Sequence, residues 1–197
     1  MSGATLVLAS ASSARQAMLA GAGLDFTIDP AHCDEGAIKE SRKGQPALAI
    51  AQALAEAKAL AVGRRHPESW VIGADQILEC DGTLYDKPRD LAAARRQLQD
   101  LRGRTHELVS AVALARQGRI DWTACDRARL TLRDFPDAEL DAYLERVGVT
   151  ALASVGAYRI EGPAIRLFER IEGDHFTILG LPLLALLAAL RQRGALS

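Results

Sequence analysis

The chain has 197 residues, 49% of them hydrophobic and 25% charged, with a formal net charge of −1. That length and mixture suit one compact unit with a sizeable core and exclude a disordered chain. The near-neutral balance supplies no global basic field for a duplex backbone. No nucleic-acid partner is therefore expected, and a small anion met by a local cluster of cations is the ligand class left open.

Cys33, Cys80 and Cys125 are widely spaced and odd in number. They form neither a zinc pattern nor a disulfide framework. Reduced thiols in a reducing, cytoplasmic compartment are expected. The N-terminus, Met1 to Ala9, lacks a basic region and a long apolar run, so no signal peptide is expected. The most apolar stretch, Phe176 to Leu190, is too short to span a bilayer and contains Pro182. No membrane partner is expected.

In chain order, Thr5 to Ala9 predicts a buried strand. Ser13 and Gln16 have the spacing of a capping box, with a helix over Ala14 to Ala20 ended by Gly21 to Gly23. Phe26 to Pro30 is extended, and Ala47 to Val62 is a long helix rich in alanine and leucine. Trp70 to Gly73 is a second strand, with Asp75-Gln76 directly after it. Ile77 to Cys80 is extended and leads into an Asp81-Gly82 turn. Leu91 to Leu101 is an amphipathic helix, and Leu108 to Ala115 a strand. Ala124 to Leu132 alternates, and a helix over Asp137 to Val147 follows Pro136. Phe168 to Ile171 is β-like, and Pro182 opens the last helix at a position that tolerates proline. Mixed strands and helices give the α/β class. A single domain over residues 1–197 is expected, the chain crossing more than once between any two lobes.

Four groups of residues could do chemistry. Ser10, Ser12, Ser13 and Arg15 lie where a strand feeds a helix, so hydroxyls, N–H groups and the helix dipole converge on an anion and Arg15 adds a bidentate cation. Plain helix capping explains the same serines. Asp75 at a strand's carboxyl end could orient a metal ion or accept a proton from an attacking water, or be only a turn residue. Lys58 and Lys87 could neutralise a triphosphate, or be solvated surface lysines. Asp34-Glu35 offers oxygen ligands for Mg2+ or Mn2+, or is a helix N-terminal acid pair. His32, His66, His106 and His175 form no ligand pattern and are read as structural or exposed.

The order and wording of these groups resemble the Maf family. Leu8-Ala9-Ser10-Ala11-Ser12-Ser13-Ala14-Arg15 is similar to its opening signature, Asp34-Glu35 to its acidic pair, and Leu54 to Ala59 to its lysine-bearing helix. Gly73-Ala74-Asp75-Gln76, Asp81-Gly82 and Lys87-Pro88 are similar to its central block. Gly103 to His106 and Ala111 to Leu114 are similar to the next block. Gly156 to Tyr158, Glu161-Gly162 and Gly180 to Leu183 are similar to the last.

The resemblance implies an elongated, twisted mixed sheet flanked by helices, with two lobes and a central cleft, as in the inosine triphosphate pyrophosphatases. It implies hydrolysis of a nucleoside triphosphate to the monophosphate and pyrophosphate, dependent on a divalent cation, Mg2+ or Mn2+. Asp75 falls on the proton-acceptor position and, with Glu35, on the metal positions. Ser10, Arg15, Lys58 and Lys87 fall on phosphate-binding positions. Homodimers are frequent among members, and a non-catalytic regulator of septum formation is the reading of another class.

Three positions near the base separate the family's groups. A pyrimidine group acting on dTTP and UTP carries arginine, threonine and glutamine. A group similar to 7-methyl-GTP pyrophosphatases carries tryptophan, glutamine and glutamate. This chain has Ala14, Gln76 and Glu161, two of the latter three. A carboxylate can accept both N–H donors of a guanine edge and favours a cationic 7-methylated ring, whereas a glutamine can donate as well as accept. Ala14 lacks the ring that would stack on such a base. Ser13 replaces a proline, Ala153 an aspartate and Ser110 a threonine of the family pattern.

Overall fold

Leu6-Val7-Leu8 forms the first strand, β1 (Leu6–Leu8), wholly buried because both faces of this short apolar run are covered. Helix α1 (Ser13–Gly21) follows it, and the chain returns as β2 (Phe26–Ile28), parallel to β1. Helices α2 (Glu35–Ser41) and α3 (Ala47–Gly63) then lead to β3 (Trp70–Cys80), which lies parallel to β1 on its other side. The computed structural model describes residues 5–196. The first four residues, on which the leader expectation partly rests, lie outside the described residues.

A hairpin joins β3 to β4 (Thr83–Tyr85). Asp81 and Gly82, with φ of 48° and 79°, form its two-residue turn, as the Asp-Gly pair predicts. Helix α4 (Leu91–Leu101) precedes the long strands β5 (Thr105–Arg116) and β6 (Arg119–Leu132). Helix α5 (Asp137–Val147) and three short 3-10 segments lead to β7 (Phe168–Glu172), antiparallel to β6. The chain ends in α6 (His175–Ile178) and α7 (Leu183–Gln192), the latter after Pro182. The fold is α/β: the described residues form seven strands in one open mixed sheet ordered β2-β1-β3-β5-β6-β7, β4 pairing with β3, and seven flanking helices.

The chain forms two compact units. The first holds residues up to 76, 109–127 and from 174 on; the second holds 77–108 and 128–173. The core of the first gathers Leu6, Leu8, Leu19, Ile72, Leu114 and Leu186, none above 3% exposed. In the second, Leu98, Leu101, Leu130, Phe135 and Leu140 are buried. None of the described helices is long and apolar enough to cross a membrane.

Two local expectations are corrected. The capping box of Ser13 and Gln16 does not form. Ser12 is the N-cap, its hydroxyl accepting from the Arg15 N–H at 3.4 Å, while the Gln16 N–H goes to the Ser12 carbonyl. Asp75 and Gln76 do not follow a strand but lie inside β3, because each polar side chain finds partners there. Asp34-Glu35 opens the short helix α2, with Asp34 accepting from the Ala37 N–H at 2.9 Å, as the helix N-terminal reading of this pair expects.

Candidate active site

The order in which strands are added reverses about β1: β2 lies on one side of it and β3 on the other, all three parallel. The carboxyl ends of strands at such a switch are where open α/β sheets receive ligands. Ser10 leaves β1 there. Ile72 pairs with Leu8 in register, so Asp75 and Gln76 lie farther along β3 toward the same end.

The first turn of α1 brings Arg15 into this end of the sheet, 9% exposed. Its Nε donates to the Gly180 carbonyl at 2.9 Å and its Nη1 to Ser10 Oγ at 3.2 Å, while Ser10 Oγ also accepts from the Ser12 N–H at 3.2 Å. Burial lowers the Arg15 pKa, and the charges of Asp75 and Glu35 oppose that shift. A guanidinium keeps its proton at any ordinary pH, so a fixed cation stands at the N-terminal turn of α1.

Lys58 reaches in from α3. A glycine makes this possible: a Cβ at Gly73 would fall 2.2 Å from the Ala55 carbonyl oxygen and 2.6 Å from the Ala59 nitrogen, so α3 rests directly on the β3 backbone. Lys58 Nζ then donates to Asp75 Oδ1 at 2.6 Å and meets Glu35 Oε1 at 2.9 Å. The Lys58 and Asp75 side chains are each 11% exposed, against 46% for Glu35. Burial is the largest influence on Lys58 and disfavours its charge, but the two carboxylates outweigh it and raise its pKa. Lys58 is thus no solvated surface lysine.

Gln76, half-buried, donates through Nε2 to Ser110 Oγ and to the carbonyls of Thr177 and Ile178. The structure therefore gathers Ser10, Arg15, Glu35, Lys58, Asp75 and Gln76 in the first unit. Ala14, half-buried, follows Ser13 on α1. Lys87, exposed, and Glu161 lie in the second unit. Glu161 pairs with Arg159 at 3.0 Å beside a recess of about 310 Å³ also lined by Tyr143, Thr150 and Pro163. Ala153 is exposed at the end of a 3-10 segment.

Gly180, Ser110 and Thr177 were not singled out for these contacts by sequence reasoning. Gly180 belongs to the recognised C-terminal wording and has φ of 101°, but a backbone carbonyl that holds an arginine 165 residues away leaves no local trace.

Glu35 Oε1 and Asp75 Oδ1 converge on one ammonium nitrogen, so two carboxylates can face a common cation. Among the described residues no group of three or more His, Cys, Asp or Glu could hold a metal ion. Two carboxylates fit Mg2+ or Mn2+, which use one or two of them with water and substrate phosphate oxygens.

An open α/β sheet thus carries a buried arginine, a serine and an acid–lysine cluster at the carboxyl ends of its strands, the place where sheets of this class receive ligands. The family model described as Maf-like protein matches residues 5–193. The chain belongs to the Maf family. It is 50% identical over 193 residues, covering 96% of this chain and 99% of the relative, to a protein of Paramagnetospirillum magneticum named nucleoside triphosphate pyrophosphatase. A protein of that name from Bradyrhizobium diazoefficiens is 53% identical, with 94% of this chain and 92% of the relative covered. A protein of Brucella abortus named 7-methyl-GTP pyrophosphatase is 49% identical, with 95% of each covered.

Proposed function

We propose that the chain hydrolyses nucleoside triphosphates to the monophosphate and pyrophosphate, with a 7-methylated guanine nucleotide as its preferred substrate. The observation that carries the reaction is the buried Lys58–Asp75 pair, in the same unit as the Arg15–Ser10 contact.

A water oxygen attacks the α-phosphorus, the bond from that phosphorus to the bridging oxygen breaks, and pyrophosphate leaves in line. Asp75 orients the water and takes its proton. Lys58 is an ammonium ion, its pKa held up by its two acid partners, and holds the Asp75 carboxylate in place in the nucleotide-free protein. Arg15 and Ser10 bind phosphate oxygens, where preorganised donors act most strongly. A divalent cation held by Glu35 and Asp75 supplies charge neutralisation at those oxygens when bound.

The names of the Brucella abortus and Rhizobium meliloti relatives, 7-methyl-GTP pyrophosphatase, support the base preference, as do Gln76 and Glu161. The test is pyrophosphate release with Mg2+ across 7-methyl-GTP, GTP, UTP, CTP, dTTP and ATP. A preference for 7-methyl-GTP is expected; a preference for dTTP and UTP overturns the base assignment and leaves the reaction. Full turnover by Asp75→Asn with metal present overturns the role of Asp75.

A further inference from the structure

Gln76 has its amide nitrogen 3.1 Å from Ser110 Oγ, 3.1 Å from the Thr177 carbonyl oxygen and 3.0 Å from that of Ile178. Two of these partners are main-chain carbonyls, which only accept. The amide orientation is therefore forced, since a half-turn would set Gln76 Oε1 against two carbonyl oxygens. The acceptors are themselves held. Ser110 Oγ donates to the Thr177 carbonyl at 2.7 Å, Thr177 Oγ1 donates to Asp126 Oδ2 at 2.7 Å, and the Thr177 N–H goes to Asp174 Oδ1 at 3.0 Å. Ser110 and Thr177 are both fully buried.

With its two N–H hydrogens directed into the protein, Gln76 has only Oε1 to offer a ligand. A Cβ added at Gly180 would lie 3.5 Å from both Gln76 Oε1 and Arg15 Nη2, so Gln76 Oε1 and the Arg15 guanidinium border the same buried glycine. A glutamine that in isolation could donate or accept is reduced to an acceptor.

We propose that Ser110 and Thr177 are positioning residues that fix the Gln76 amide with its carbonyl oxygen toward the nucleotide, so that position 76 accepts a hydrogen bond from a base N–H and rejects a lone pair there. The inference rests on the reading that Gln76 meets the base. The bases it selects share one chemistry, an imide or lactam N–H on the pairing edge: guanine and 7-methylguanine through N1, uracil and thymine through N3. Held in the same register, adenine N1 and cytosine N3 present lone pairs and are disfavoured, because a carbonyl oxygen facing a lone pair leaves both acceptors unsatisfied, and these bases reach Gln76 Oε1 with their exocyclic N6–H or N4–H only by shifting along the pairing edge.

The experiment measures kcat/KM for GTP, ATP, UTP and CTP in the wild type, Ser110→Ala, Ser110→Thr and Gln76→Met. Hydrogen exchange of the Gln76 side-chain amide is followed by NMR in the wild type and both Ser110 variants. The wild type is expected to favour GTP over ATP and UTP over CTP. Ser110→Ala shrinks both ratios roughly fivefold, the worth of one hydrogen bond, and speeds amide exchange. Ser110→Thr, which keeps the hydroxyl, restores both readouts. Gln76→Met flattens the ratios and serves as the second reading if Ser110→Ala does not fold. Ratios unchanged in Ser110→Ala and Gln76→Met, or a wild-type preference for ATP and CTP, overturn the proposal.

The two readings fail separately. A preference for UTP over GTP ends the purine assignment while the UTP/CTP ratio still tests position 76. If no nucleotide is hydrolysed, the same ratios are read from dissociation constants.

Discussion

Lys58 Nζ stands 2.6 Å from Asp75 Oδ1, with both side chains 11% exposed. The pair joins the middle of α3 to a strand residue 17 positions later. A buried carboxylate needs such a partner, because an unpaired charge in this position would lose its hydration without replacement. The same ammonium also meets Glu35, so it occupies the point on which both candidate metal ligands converge.

Lys58 is therefore expected to compete with a divalent cation in the nucleotide-free protein. Lys58→Met removes the competitor and leaves the two carboxylates facing each other. Mn2+ binding without nucleotide, measured by calorimetry, is expected to tighten roughly tenfold, the change that about 1.4 kcal/mol of relieved competition gives. Pyrophosphate release is expected to fall at the same time, since Asp75 loses its anchor. Unchanged or weaker Mn2+ binding in Lys58→Met would remove Glu35 and Asp75 from the metal site.

Gly73→Ala tests how the pair is positioned. The new methyl group would lie 2.2 Å from the Ala55 oxygen and 2.6 Å from the Ala59 nitrogen, backbone atoms that can move only if α3 lifts off β3. A loss of roughly 3 kcal/mol is expected, the upper range for overpacking. For a domain of this size that is about 6–12 °C in Tm. Activity is expected to fall below what the change in folded fraction explains, because Lys58 travels with α3. A variant with wild-type Tm and turnover would show that the α3–β3 contact does not set the site.

The sequence singles out candidate residues that the fold brings together more readily than it shows their setting. Ser10, Arg15, Lys58 and Asp75 were legible because the family wording surrounds each of them. The alternation of Ala128, Leu130 and Leu132 and the Asp81-Gly82 turn were legible because strand periodicity and turn chemistry are local. The break placed after Gly73 was an error of the same locality: a small residue followed by Asp and Gln resembles a strand end. β3 continues because Lys58 and the carbonyls of residues 177 and 178 satisfy those side chains from elsewhere in the chain. The 3-10 segments between α5 and β7 have no periodic signature long enough to read. The Gly180 carbonyl and the Ser110–Thr177 bond connect distant segments through backbone atoms, which no residue type announces.

Arg15→Lys separates charge from geometry. Arg15 uses Nε on the Gly180 carbonyl and Nη1 on Ser10 Oγ, two bonds that a planar fork makes at once. A lysine keeps the positive charge but presents one nitrogen and cannot reproduce the fork. Loss of roughly a hundredfold in kcat/KM for the preferred nucleotide is expected, the scale of removing one preorganised donor. Circular dichroism is expected to be unchanged. Wild-type kcat/KM in Arg15→Lys would mean that only a positive charge is required there.

His106 gives the fold a pH dependence separate from the chemistry. It is 1% exposed, its Nε2 meets the Tyr158 hydroxyl at 2.5 Å, and its Nδ1 has no hydrogen-bond partner among the described residues. Burial pushes its pKa down from 6.5 to about 4. Between those values the unfolded chain holds the proton and the folded one does not, so stability is fully present above pH 6.5 and is lost as the pH falls toward 4. From pH 6.5 to pH 5 that linkage amounts to about 2 kcal/mol. His106→Gln keeps a polar side chain and removes the titration. Urea unfolding at pH 7 and pH 5 is expected to show the wild type losing about 2 kcal/mol more than His106→Gln over that interval. Equal losses in the two proteins would mean that the buried imidazole is not what titrates.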